Sequence, residues 1–367
     1  MARIVFDVHG LSTGGGVKTY ITSLLAALAQ LGTSHELVAA AARDRGELPP
    51  GVSLETAFPR VPIGIWQQIG LPVIARRVGA DIIHATKHVG PRWHRGKSVV
   101  TIHDAMYFTH RDMWRPGEGA YWRALTRFGL AGADAVLTVS SNARESLLDI
   151  GLGAADRLFA VPNGVSERFV PVADQTAIKA VARKYGLRQP FLITVGTLGR
   201  KKNVGTLIRS LPRLQALAGQ AVQLAVVGRT DYDEASIRAA CAEQGVADSV
   251  VLTGFIPFGD LLALYNAASV FVYASLWEGF GLPVLEAMRC GLPVVTTTGG
   301  GLREVAADAA VLIDDPLDAD EFATKTLQLL SDADQVLDLR RRGLAHAANF
   351  TWERTARQTL AVYESLM

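Results

Sequence analysis

Short apolar runs rich in β-branched residues alternate with amphipathic helical patterns along nearly the whole chain. In the first half the strand candidates are residues 4–8, 37–41, 81–85, 98–103, 135–140 and 158–161. Helical patterns at 17–31, 66–78, 119–131 and 143–150 lie between them. The second half repeats the rhythm with strand candidates at 191–195, 223–227, 250–253, 270–274, 294–297 and 310–313. Strands that are apolar throughout need cover on both faces, and helices between them supply the crossovers of a parallel sheet. The chain therefore reads as α/β.

A length of 367 residues is too great for one ordinary core, so two domains of about 150–200 residues are expected. The break falls between Pro162-Asn-Gly164 and Pro171-Val-Ala-Asp174, where turn residues separate a strand from a fresh helix. Each half opens alike, with an apolar strand, a glycine loop and a long helix. The first loop is Gly14-Gly15-Gly16 and the second Gly196-Thr-Leu-Gly199. Two Rossmann-like domains result. Their ligands belong at the carboxyl ends of the strands, which predicts a site in a cleft between the domains.

Half the residues are apolar, at 49%, and the net charge is only +2, which excludes a disordered chain and a nucleic-acid coat protein. Cys241 and Cys290 sit in apolar helical patterns and read as small buried residues of a reducing compartment. The N-terminus lacks a signal-peptide pattern, and no run reaches about 18 apolar residues. The expected location is cytoplasmic.

The amides of Gly14-Gly15-Gly16, just before a helix, suit an anion, and glycine permits close approach. A tight turn that binds nothing is an equal reading. Thr19 stands where a third glycine would complete G-x-G-x-x-G, no acid ends the second strand, and G-x-x-x-x-G-K-[ST] is absent. Dinucleotide dehydrogenase and P-loop readings weaken accordingly. At the equivalent loop of the second half, Arg200-Lys201-Lys202 precede a helix whose dipole repels them. Three cations there make sense beside an anion such as a departing pyrophosphate.

The segment Glu278-Gly-Phe-Gly-Leu-Pro-Val-Leu-Glu286 says most about chemistry. Its glycines free the backbone, Pro283 suits a first helical turn, and Glu286 falls about one turn inside. Backbone amides around Phe280, Gly281, Leu282 and Pro283 offer donors, and two carboxylates offer acceptors. That mixture fits a sugar and a ribose better than a purely anionic ligand.

Residues Glu278 to Met288 match E-G-F-G-L-P-x-x-E-A-M and so resemble the retaining GT-B glycosyltransferases of family 4, also called group 1. The likeness includes Gly15-Gly16-Val17, Thr101-Ile-His103-Asp104, Ser140-Ser-Asn142 and Val161-Pro-Asn-Gly-Val165. It continues through Gly196-Thr-Leu, Lys202-Asn203, Leu252-Thr-Gly-Phe255, Leu264-Tyr-Asn-Ala267, Gly299-Gly300, Glu304-Val305 and Thr351-Trp352. The resemblance implies an acceptor-side domain at 1–168, a nucleotide-sugar donor domain at 175–349, and a final helix at 350–367 crossing back to the first. It also implies roles. Glu278 would contact the transferred sugar, Glu286 the ribose, and Lys202 with Lys201 the diphosphate. His103 would reach the sugar, Gly15 and Gly16 would border phosphate and acceptor, and Phe255-Ile256 would lie near the base. The family transfers sugars with retention, usually without a metal, and no cofactor is expected.

The sequence departs from the family pattern at Lys201, where arginine is common, and at Arg303, where proline is usual. His84, His88 and His94 lack an acidic or cysteine partner for zinc. Asp314-Asp315, before Pro316, read as structural. Residues 93–122 carry Tyr107, Phe108, Arg111, Trp114, Arg115, Tyr121 and Trp122. They suit an acceptor or membrane-surface patch, and equally the packing of a large loop and helix.

The expected activity is transfer of a sugar, with a lean to GDP-mannose, onto a glycan or lipid-linked acceptor in surface polysaccharide synthesis. Peripheral contact at the inner membrane face accompanies that expectation, and nucleic acid is not an expected partner. The rivals are a nucleotide-sugar epimerase on the same scaffold and a non-catalytic nucleotide-sugar-binding protein. Acceptor-dependent release of nucleoside diphosphate separates them.

Overall fold

The computed structural model describes residues 1–12, 15–43, 48–58, 61–114, 117–229 and 234–367. Gly14 of the first glycine loop and Arg115 of the aromatic segment lie outside the described residues. The chain forms two units, Met1–Gly164 with Phe350–Met367, and Val165–Asn349.

The first unit holds strands β1 (Arg3–Asp7), β2 (Glu36–Ala41), β3 (Val52–Thr56), β4 (Ile82–Ala85), β5 (Lys97–Ile102), β6 (Ala135–Thr138) and β7 (Leu158–Ala160). They form one parallel sheet in the order β3-β2-β1-β4-β5-β6-β7. Alternation assigns the faces. Ile4, Phe6, Leu37, Ala39 and Ile82 point to one side and pack with the helices Gly15–Gln30 and Trp352–Ser365. Val5, Val38, Ala40 and Ile83 point to the other, against Leu71–Val78. Further along that second face, Ala85, Val100 and Val136 pack with Leu130 at the end of the helix Glu118–Leu130. Each fully buried aliphatic side chain contributes about 1.5–3 kcal/mol.

The strand β3 departs from the sequence reading. It is an edge strand paired only to β2, and Ser53 and Thr56 face solvent, so its apolar signal is weak. The strand candidate at 135–140 stops at Thr138, because Ser140 turns to cap the next helix through the amide of Ala143 at 3.0 Å. Helical structure before Leu71 begins at Ile63 and passes through a π-turn at Trp66–Gly70.

The second unit holds β8 (Phe191–Val195), β9 (Gln223–Val227), β10 (Val250–Gly254), β11 (Val270–Tyr273), β12 (Val294–Thr297) and β13 (Val311–Ile313). Their order is β10-β9-β8-β11-β12-β13, again with parallel pairings. Helices Val204–Ala218 and Ala319–Ser331 share its core. Among the described residues no helix is long and apolar enough to cross a membrane.

Candidate active site

In the second sheet the strand order reverses between β8 and β11. Loops diverge at such a switch point and leave a crevice at the carboxyl ends of the strands. The chain after β8 carries Lys201 and Lys202, and the chain after β11 carries Glu278.

A 3-10 turn at Arg200–Lys202 ends at Asn203, whose φ of 49° is left-handed. Asparagine tolerates that conformation better than most residues. Its side-chain amide donates to the carbonyls of Ala274, at 3.1 Å, and Pro316, at 2.7 Å. The Leu276 amide donates to the Lys201 carbonyl at 2.9 Å. These bonds tie the lysine turn to the end of β11.

Lys202 Nζ lies 2.5 Å from Glu278 Oε1, and Lys201 Nζ lies 3.3 Å from Oε2. Tyr273 OH donates to Glu278 Oε1 at 2.9 Å and Ser275 Oγ donates to the same atom at 2.7 Å. Lys202 Nζ also bonds the Tyr273 hydroxyl. Glu278 is only 8% exposed. Burial by itself raises a carboxyl's pKa, but the charges of Lys201 and Lys202, with hydrogen bonds from Lys202 and Ser275, hold Glu278 at about 2.

Three glycines opposite Glu278 admit its loop. The Glu278 amide donates to the Gly299 carbonyl at 3.3 Å, and the Gly301 amide donates to the Glu278 carbonyl at 2.7 Å. A Cβ on Gly300 would stand 2.2 Å from the Glu278 carbonyl oxygen.

Gly281, at φ 117°, turns the chain into the helix Leu282–Arg289, whose N-terminus has Pro283 in its first turn and no side-chain cap. Phe280 is buried behind it. Glu286 lies a turn inside, and Tyr265 OH donates to its Oε2 at 2.9 Å. Burial raises Glu286 to about 7, against the opposing effects of the Tyr265 hydrogen bond and the Lys202 charge. At the end of β10, Phe255 is 81% exposed while Ile256 is buried.

The remaining sequence candidates belong to the first unit. Gly15, at φ 62°, and Gly16 open the helix Gly15–Gln30. A Cβ on Gly16 would meet nothing within 4 Å, so internal packing does not require glycine there. His103 follows β5, and its Nε2 lies 2.9 Å from the Thr86 carbonyl. A carbonyl only accepts, so Nε2 carries a proton. The His103 ring also meets Tyr20 edge-on at 4.9 Å.

Other polar candidates serve locally. Asp104 accepts from the Met106 amide at 3.2 Å. His84 is buried, with Tyr363 OH 2.5 Å from Nδ1 and Thr101 Oγ1 2.7 Å from Nε2. Arg303 pairs with Asp314 at 2.8 Å, and Asp315 accepts from the Leu317 amide at 2.9 Å. Tyr273, Ser275, Tyr265 and Asn203 escape the sequence reading as site residues. The usable signal was a tyrosine ending the otherwise aliphatic and aromatic β11, two residues before a serine.

Comparisons with known proteins bear on this geometry. A family model described as Glycosyl transferases group 1 matches residues 177–346. Another, described as Glycosyltransferase Family 4, matches residues 14–169. The O-antigen chain mannosyltransferase B of Escherichia coli is 32% identical over 272 residues, covering 74% of this chain and 71% of that protein. The serotype-specific mannosyltransferase WbdA of Escherichia coli is 28% identical over 278 residues, covering 74% of this chain and 34% of that protein. The chain thus spans about a third of that larger relative.

Among solved structures, sucrose-phosphate synthase from Thermosynechococcus elongatus aligns with a TM-score of 0.78 at 23% identity, covering 100% of this chain and 99% of that one. Anabaena HepE in complex with UDP and glucose aligns with a TM-score of 0.79 at 18% identity, covering 100% of both chains. At those identities the structures establish the fold, which is GT-B with two Rossmann-like domains. With the 32% relative and the two family models, the chain belongs to family 4 of the glycosyltransferases, the group 1 enzymes.

Proposed function

We propose that this protein transfers a mannosyl residue from GDP-mannose, with retention and without a metal, to a hydroxyl of a glycan or lipid-linked acceptor in surface polysaccharide synthesis. The observation that carries this reading is the Lys201–Lys202–Glu278 cluster at the switch point of the second sheet, in a chain of this family. Mannose is favoured because the 32% relative is named a mannosyltransferase, whereas HepE supports the fold alone.

In this reading residues 175–349 bind the donor and residues 1–168 with 350–367 receive the acceptor. Lys201 and Lys202 take the donor diphosphate, with the backbone amides around Phe280, Gly281 and Leu282. Glu278 and Glu286 accept from hydroxyls of the sugar and the ribose. Phe255 offers an exposed ring for the base, next to the buried Ile256 in sequence. His103 and the Gly15-Gly16 turn serve the sugar and acceptor side.

The bond from the anomeric carbon to the phosphate oxygen breaks, and its electron pair leaves on the diphosphate. Lys201 and Lys202 stabilise that charge, an effect for which loss of one donor costs about 10²–10³ in rate. The acceptor hydroxyl adds to the same face and passes its proton to a phosphate oxygen of the leaving group. No metal is needed where two ammonium groups and helix-end amides face the diphosphate.

The test is release of GDP from GDP-mannose that depends on added acceptor. Release without acceptor, or conversion of the donor sugar alone, would overturn the reading. Thermal-shift screening against UDP, GDP, ADP and their sugars identifies the donor. A ligand at 100 times its Kd stabilises by about 2.7 kcal/mol.

A further inference from the structure

The aromatic segment at 93–122 has a packed part and an outward part, joined where Tyr121 meets Trp122 edge-on at 5.3 Å. Tyr107 packs against Trp114 at a tilt and stacks on Trp122, with ring centroids 4.2 and 5.8 Å away. Trp93 and Tyr121 instead face outward, and they join apolar residues from elsewhere in the first unit. Ile65, Ile69 and Val73 recur every four residues and are all exposed. Trp93 is 72% exposed and Ile69 52%. Isolated surface apolar residues need no explanation, but a continuous set does.

Contacts show that the set is continuous. The helical segment containing Ile65 and Ile69 touches the helix Glu118–Leu130 at Gly64, where a Cβ would lie 3.3 Å from Tyr121 OH. Gln68 bonds the Gly90 carbonyl and the Arg92 amide, both at 2.9 Å, which places the Trp93 loop alongside. Trp93 then meets Phe128 edge-on at 5.3 Å. Tyr121 and Phe128 are seven residues apart on one helix and share a face. Both helical segments cover the same side of the sheet, so this ridge is their outer surface.

The rim is basic. Arg76, Arg95 and Arg127 are exposed around the ridge, with Arg92 beside Trp93. Residues 61–80 and 82–103 contain no Asp or Glu. Of the nearby carboxylates, Glu55 pairs with Arg77 and Asp134 with Lys97, while Glu118 is exposed three residues before Tyr121. Long guanidinium side chains can reach an anionic headgroup layer while Ile, Trp and Tyr enter the acyl boundary.

We propose that the ridge built from Ile65, Ile69, Val73, Trp93, Tyr121 and Phe128 docks this protein on an anionic lipid surface. A second copy of the chain fits less well. A two-fold contact joins the same patch on both partners and would set these arginines against their own counterparts. The proposal stands apart from the identity of the donor sugar.

The test is cosedimentation of the full chain with phosphatidylcholine vesicles, either pure or containing about one third phosphatidylglycerol. Binding is expected on the anionic vesicles, weak on pure phosphatidylcholine, and lost in 1 M salt, where the screening length is about 3 Å. Ile69→Glu and Trp93→Glu, both at exposed positions, should each weaken partitioning about tenfold while the unfolding temperature and GDP binding stay near wild type. Absence of binding to the anionic vesicles, or unchanged binding by both variants, would overturn the proposal. So would a dimer in lipid-free solution that Ile69→Glu dissociates.

Discussion

Lys202 Nζ and Glu278 Oε1 stand 2.5 Å apart although 76 positions separate the residues in sequence. Each belongs to a loop leaving one of the two adjacent strands at which the sheet order reverses. Lys202→Ala removes a charge proposed to meet the departing diphosphate, and turnover should fall by about 10²–10³. Glu278 keeps Lys201, Ser275 and Tyr273, so circular dichroism should remain that of the wild type. Glu278→Ala should lose activity as severely. Normal turnover in either folded variant contradicts the proposed site.

The proposed contact of Glu286 with the donor ribose predicts that donor binding depends on pH. A carboxyl with a pKa near 7 is largely protonated below neutrality, and protonation makes one oxygen a donor and weakens acceptance from two ribose hydroxyls. Donor affinity measured by calorimetry should therefore rise between pH 6 and pH 8 (about one unit either side of that value), with proton release on binding. Tyr265→Phe removes a hydrogen bond that lowers the Glu286 pKa, so the midpoint should move upward. A flat profile in the wild type rejects this.

The two glutamates act oppositely on stability. Glu278 ionises in the fold at about 2 instead of its ordinary 4.5, so its contribution is present above 4.5 and is lost as pH falls toward 2. Glu286 is raised from 4.5 to about 7, so its proton-linked stability is greatest below 4.5 and is lost as pH rises to 7. Denaturant midpoints of Glu286→Gln should lack the second loss and retain the first.

Gly300→Ala tests how the Glu278 loop is held. The new Cβ would meet the Glu278 carbonyl at 2.2 Å, from a residue at φ 66°. Neither atom is on a flexible side chain. A loss of more than about 2 kcal/mol in urea unfolding is expected, with a larger relative loss of turnover.

Asn203 combines a left-handed backbone with two anchoring bonds. Asn203→Gly keeps the first and removes the second, so it should fold normally yet lower kcat/KM about tenfold as Lys201 and Lys202 lose their fixed position. Asn203→Ala should add a stability loss of about 1 kcal/mol from the backbone. Equal stability of the two variants would show that φ is not the constraint.

The parallel α/β architecture, the repeated opening of the two halves and the Glu278–Glu286 motif were all visible in the sequence. They depend on local periodicity and on glycine and proline, whose backbone preferences act over a few residues. The edge strand β3 was not visible, because it is paired on one side only and has no continuous apolar run. Nor was the ridge of Ile65, Trp93 and Phe128, which three separate segments build together. The resemblance already set Lys202 beside Glu278 in one site, but Tyr273 and Ser275 were hidden, since they reach Glu278 only through sheet order and loop packing. Glu278 and Glu286 make the distinction plain. They are the same residue type eight positions apart, and one ionises near 2 while the other does so near 7. Their covalent chemistry is identical. Burial raises both, and only the fold brings two ammonium groups onto the first.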